Sequence, residues 1–112
     1  MDVALARLAI SLVDLTDLTN DCTDAAVDAL CSRALAAGTA AVCVWPDFVA
    51  GAVAQVAGSP VRVATVVNFP TGDERPFAVG VVTERALADG ADEIDVVLPY
   101  HDFASGHLDR PA

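Results

Sequence analysis

Four side chains able to do chemistry recur along the sequence at near-constant intervals. Asp14 to Cys43 is 29 residues, Cys43 to Asn68 is 25, and Asn68 to Asp95 is 27. Asp95 is the sharpest of them, because it sits inside the apolar run Ile94-Asp95-Val96-Val97-Leu98. A carboxylate there is costly to bury unless it is paired or hydrogen-bonded, and carboxylates in such settings are frequent proton-transfer groups. The plainer reading, a structural acid tying down a loop or an arginine, weighs about as much. Asp14, in Asp14-Leu15-Thr16-Asp17, offers the same chemistry but reads equally well as turn or capping chemistry. Cys43 lies in Ala41-Val42-Cys43-Val44-Trp45, where a small buried hydrophobe is the default for a cysteine. The three cysteines, Cys22, Cys31 and Cys43, form no C-x-x-C pair, which argues against a disulfide framework or a zinc site and for a reducing cytoplasm. His101 and His107, with Asp102 and Asp109 nearby, match no metal-ligand spacing and read as a solvated loop. Thr71-Gly72-Asp73 is a turn into a helix, but a lone glycine is weak evidence for an anion site. No G-x-G-x-x-G follows the first strand, so a dinucleotide fingerprint is absent.

The interval between these residues is the length of one βα unit, and the pattern between them supplies the parts. Short β-branched runs span Ser11–Leu15, Ala40–Trp45, Val61–Val67 and Glu93–Leu98, the last three stopped by or close before a proline. An apolar-periodic segment, Val3–Ile10, precedes the first. Thr23 is a good N-cap for a helix whose stripe is Val27, Leu30, Cys31, Ala34 and Leu35, ending at Gly38. Further helices are expected over about 47–57 and 73–89. Strand and helix in alternation predict a parallel sheet with right-handed crossovers, with function at the carboxyl ends of the strands. Parity refines this. Ile94, Val96 and Leu98 should face helices, as should Val42 and Val44, leaving Glu93, Asp95, Val97, Ala41, Cys43 and Trp45 on the other face. Leu12 and Val66 join that second face by the same rule. An open sheet covered on both sides would be apolar on both, so acids and a thiol on one face favour a barrel lumen.

Composition bounds the function. With 112 residues and 54% hydrophobic content, the chain fits one compact domain and excludes wholesale disorder. Sixteen acidic against six basic residues give a net charge of −10, a poor basis for holding nucleic acid. All six basic residues are arginine, and lysine is absent. No apolar run approaches the ~20 residues of a membrane span, and the N-terminus lacks the form of a secretory signal.

Taken together, Asp14-Leu15-Thr16, Ala41-Val42-Cys43-Val44-Trp45-Pro46, Ala64-Thr65-Val66-Val67-Asn68-Phe69-Pro70-Thr71-Gly72 and Gly90-Ala91-Asp92-Glu93-Ile94-Asp95-Val96-Val97-Leu98-Pro99-Tyr100 closely resemble the deoxyribose-phosphate aldolase family in order and spacing. The resemblance runs from about Leu12 to Gly106. It implies the first four βα units of a (β/α)8 barrel, with residues 1–112 forming a single domain, a half-barrel with helices on one face of a four-stranded parallel sheet. It implies a lyase, a class I aldolase free of metal and cofactor. The family reversibly cleaves 2-deoxy-D-ribose 5-phosphate to glyceraldehyde 3-phosphate and acetaldehyde through a lysine Schiff base. On this pattern Asp95 is the catalytic proton relay, while Asp14, Thr16, Leu18 and Cys43 lie at the substrate. The sequence departs from the family where it ends, at Ala112, since four more units would carry the Schiff-base lysine, its lysine neighbour and the phosphate loops. Arginine cannot form the imine, so the chain alone is expected to be inactive. Two other readings stand beside an incomplete aldolase: a structural module in which two halves close one barrel as a homodimer, and a small-molecule-binding domain using the same lumen. The expected partners are a sugar phosphate and either a second copy or the missing half-barrel, with no nucleic acid and no membrane.

Overall fold

The computed structural model describes residues 2–104. Four strands, β1 (Asp14–Asp17), β2 (Ala41–Val44), β3 (Arg62–Val67) and β4 (Glu93–Val96), form one sheet in chain order, every neighbouring pair parallel. Among the described residues five α-helices accompany them: α1 (Val3–Ile10), α2 (Asp24–Ala37), α3 (Val49–Val56), α4 (Pro76–Ala88) and α5 (Tyr100–Ala104). A 3-10 turn over Pro46–Phe48 leads into α3.

The sheet has two unlike faces. On the helix side, Val27, Leu30, Cys31 and Ala34 of α2 and Val49, Ala52 and Val56 of α3 close over Val42, Val44 and Val63. This is the main core, and its ordering follows from strand parity and the i, i+3, i+4 stripe of α2. Thr65 faces the same side and is fully buried, its hydroxyl donating to the Val44 carbonyl at 2.6 Å. The other face carries a smaller cluster of Cys43, Ala64 and Val66, with Leu18 and Trp45 packed against it.

Three boundaries differ from the sequence expectation, each for a local reason. β1 begins at Asp14 rather than Ser11, because the Ser11, Leu12 and Val13 amides are spent closing α1, on the carbonyls of Arg7, Ala9 and Ile10. Asp14 therefore opens its strand instead of closing it. α4 begins at Pro76, not near residue 73. Proline suits the first helical position, and the Glu74 amide upstream is held by Asn68 instead. Tyr100–Ala104 is a short helix where a loop was expected, so His101 is helical; His107 and Asp109 lie outside the described residues. On β4 the expected covering is incomplete: Ile94 is half-buried, whereas Val96 and Leu98 remain 53% and 64% exposed. α1 buries none of its residues.

Candidate active site

Strand register places the inner-face residues within β1–β4; Leu12, expected there by parity, lies instead in the turn that closes α1, and Trp45 and Val97 lie just past β2 and β4. Thr16 of β1 stands beside Cys43 of β2, Cys43 beside Ala64 of β3, and Ala64 beside Glu93 of β4. Asp14 lies two residues before Thr16, and Asp95 two residues beyond Glu93, so both share that face. β1 and β4 are opposite edges of the sheet. Even so, carboxylate oxygens of Asp14, Glu93 and Asp95 lie within 4.8 Å of one another. A flat sheet of four strands would hold its edges some 14 Å apart at ~4.8 Å per spacing, so the sheet must curl strongly around this face. The inner face is thus a concave lumen with three exposed acids converging over a buried thiol.

The charges act on one another. Asp95 beside it is the main influence lifting the Glu93 carboxyl above its ordinary range; partial burial and Asp14 add to this, and Arg62 opposes it. Cys43 is pushed up to about 11, first by burial and then by Asp95, Asp14 and Glu93. It is therefore a thiol at neutral pH and not an activated nucleophile, since nucleophilic cysteines need a lowered pKa. The Thr16 hydroxyl donates to the Asp14 carbonyl at 3.0 Å. Leu18, half-buried, and Trp45 complete the apolar wall, with the Trp45 indole N–H fixed on the Thr19 carbonyl at 2.9 Å. Asp17 takes no part in the trio. Its carboxylate accepts from the Thr19 hydroxyl at 2.6 Å and the Thr19 amide at 3.0 Å, which holds its pKa below the usual value.

Five sequence-derived positions, Asp14, Thr16, Leu18, Cys43 and Asp95, therefore belong to one concave face. Asn68, the fourth member of the original series, does not offer its amide to the lumen, for both ends of that amide are engaged by backbone. Glu93 had been placed on this face by parity but given no role; its signal was the i, i+2 relation to Asp95. His101 stacks on Tyr100 with ring centroids 4.2 Å apart, and among the described residues it joins no metal-ligand cluster. The acidic trio could give a hard cation three oxygen ligands, about half of what calcium takes, and geometry alone assigns none. A cavity of about 330 Å³ opens at the ends of β2 and β3, between Trp45, Phe69, Asn68 and Val82, and none of the five positions lines it.

The model of the DeoC/LacD family aldolases matches residues 8–108. The chain belongs to the DeoC/LacD aldolase family. Within that family, the deoxyribose-phosphate aldolase of Agrobacterium fabrum is 50% identical over 104 residues, covering 90% of this chain and 40% of that protein. A solved structure assigned as a deoxyribose-phosphate aldolase of Coccidioides immitis superposes with a TM-score of 0.86 at 32% identity, covering 88% of this chain and 39% of its own. The tetrameric deoxyribose phosphate aldolase of Aeropyrum pernix shares the fold at a TM-score of 0.80 and 24% identity. This aldolase-family chain spans about 40% of the length of the relatives it matches, as half of an eight-unit barrel would. No helix among its described residues is long and apolar enough to cross a membrane.

Proposed function

We propose that this chain supplies the first four βα units of a deoxyribose-phosphate aldolase. The reaction is the reversible cleavage of 2-deoxy-D-ribose 5-phosphate to glyceraldehyde 3-phosphate and acetaldehyde. The observation that carries the reading is the convergence of Asp14, Glu93 and Asp95 on a concave face whose only thiol is held protonated. Asp95 is the proton-transfer group of this half. Its carboxylate is exposed to the lumen, and proton movement at the carbon next to an imine needs a base within reach of water or substrate. Asp14 and Thr16 provide polar contacts at the edge strand, while Leu18 and the neutral Cys43 give the substrate an apolar wall.

The imine itself has to be formed elsewhere. This sequence contains no lysine, and a guanidinium does not condense with a carbonyl at neutral pH. The partner implied is the remaining part of the barrel, whose strands would pair with the open edges of β1 and β4. The experiment is complementation. The chain is mixed with the part of the Agrobacterium fabrum enzyme that it does not match, and deoxyribose 5-phosphate cleavage is followed with borohydride trapping. Cleavage is expected only with both parts present, with the trapped adduct on the added part and a loss of about 100-fold or more in Asp95→Asn. An adduct on this chain, or activity indifferent to Asp95→Asn, would overturn the reading.

A further inference from the structure

β3 ends at Val67 and β4 at Val96, yet the two strands stay tied one rung further. In a parallel ladder that pairs Val67 with Val96, the Val97 amide donates to the Val67 carbonyl, and the Val97 carbonyl then accepts from residue 69. The first of these bonds is present at 3.1 Å. For the second, the backbone of Asn68 has turned into the left-handed region, at φ 57°, and the Asn68 Nδ2 itself donates to the Val97 carbonyl at 2.8 Å. Its Oδ1 accepts from the Glu74 amide at 2.8 Å, and its backbone carbonyl accepts from the Gly72 amide at 2.9 Å. The residue is 6% exposed. Gly72, also left-handed at φ 74°, lies so close to the Leu98 carbonyl that any Cβ would collide with it. The loops leaving β3 and β4 are thus held together through one buried amide, two residues beyond Asp95.

We propose that Asn68 is a positioning residue of the site: its side chain replaces the missing rung of the β3–β4 ladder and so fixes how β4 presents Asp95 to the lumen. The value of that placement rests on the aldolase reading, but the placement itself does not. Asn68 touches no reacting group and acts through Val97 on the strand that carries Asp95. Few other residues could do the same. Asparagine tolerates the left-handed conformation and carries both a donor and an acceptor. Glycine keeps the conformation and loses both bonds. Aspartate keeps the acceptor for Glu74 and has no donor for Val97.

The test uses the chain alone and needs no turnover. Cys43 is buried on the same concave face as Asp95, Asp14 and Glu93, and its titration responds to how near they are. With cysteine labelled at Cβ, NMR follows Cys43 separately from Cys22 and Cys31. Asp95→Asn should lower the Cys43 midpoint from about 11, which calibrates the reporter. Asn68→Gly should lower it as well, because a loosened β4 moves Asp95 away and admits water. Asn68→Asp preserves the loop anchor on Glu74 and guards against an unfolded glycine variant. It should also lower the midpoint, although an added carboxylate by itself would raise it. Thr23→Ala, which weakens the fold at the N-cap of α2 and touches no lumen acid, should leave the midpoint in place. A Cys43 midpoint that stays at the wild-type value in a folded Asn68→Gly chain, or stays or rises in Asn68→Asp, while Asp95→Asn lowers it, would overturn the proposal. Failure of the complementation assay would bear on the aldolase reading and leave this result standing.

Discussion

Cys43, moved first by burial and then by the acids around it, and Glu93, moved chiefly by Asp95, are lumen residues whose shifted titration makes stability depend on pH. The Cys43 thiol is lifted from 9.0 to about 11, so the native state keeps its proton where the unfolded chain has released it. The stabilisation is complete below pH 9 and is lost as pH rises towards 11, because there the unfolded state binds fewer protons. At about 1.4 kcal/mol per pH unit the loss amounts to about 3 kcal/mol. Urea denaturation at pH 8.5 and 10.5 should show about 2 kcal/mol of that decline in the wild type and a shallower one in Cys43→Ala. The Glu93 carboxyl is also raised, chiefly by Asp95, so its charge opposes folding at neutral pH and its protonation favours the native state as pH falls. Glu93→Gln should therefore stabilise the chain at pH 7 by about 0.5 kcal/mol, since the group is largely solvated, and the gain should vanish in acid. Denaturation curves of the two proteins at pH 7 and pH 4 check the sign.

The helices and loops were legible to different degrees. α2 was visible in all but one position, because its cap, stripe and stop are all local signals: Thr23 accepts from the Ala26 amide at 3.1 Å, four of the five stripe residues are buried while Leu35 is left exposed, and Gly38 ends the helix at φ 76°. The start of α4 was not, because what removes residues 73–75 from the helix is Asn68, six residues before Glu74 and at the far end of the loop, where it leaves β3. The same loop separates two glycines that the sequence cannot tell apart. At Gly51 in α3 an added Cβ meets nothing within 4 Å, so Gly51→Ala should stabilise by about 0.5–1 kcal/mol through helix propensity. At Gly72 a Cβ meets the Leu98 carbonyl in a left-handed backbone, so Gly72→Ala should cost about 2 kcal/mol or more. Thermal unfolding of the two variants, followed by circular dichroism, should move in opposite directions.

At the scale of the molecule, the sheet has two unpaired edges and apolar residues left in solvent beside each. Leu12 is 74% exposed near β1, Val96 is 53% exposed on β4 and Leu98 is 64% exposed just past it. Such surface favours association, and a symmetric pair of half-barrels is the simplest way to cover it. Against that stands a net charge of −10 per chain, and a lumen-to-lumen pair would bring six convergent carboxylates into one cavity. Charge should win at pH 7 and low ionic strength. Sedimentation velocity is therefore expected to show mostly monomer there, with association rising in ~0.5 M salt, where screening is short-ranged, and as pH is lowered, because the raised Glu93 carboxyl takes up a proton more readily than an ordinary glutamate. Equal association in all conditions would place the contact away from the lumen. The same reasoning favours a complementary half of less acidic lumen over a second copy as the natural cover of these edges.

The sequence by itself determined the order of strand and helix, the parallel sheet, and which face of each strand meets helices. Those follow from hydrophobic period, β-branching and turn residues, all of which act over a few positions. It also determined that Asp95 and Cys43 share a face, because parity within a strand is a property of the backbone, while Thr16 was placed there only by the family resemblance. What only the tertiary structure decided is how far the sheet curls. That curl brings Asp14 on one edge within 4.8 Å of acids on the other, and it makes Glu93 part of the site. The start of β1 at Asp14 was likewise decided by the close of α1, which takes up the amides of Ser11 to Val13. Asn68 shows the division most sharply. Its position at the end of β3 was plain in the sequence, but its partners are the Val97 carbonyl and the Glu74 amide. Only folding brings these to the same amide, and a hydrogen-bonding group takes its function from the partners it meets.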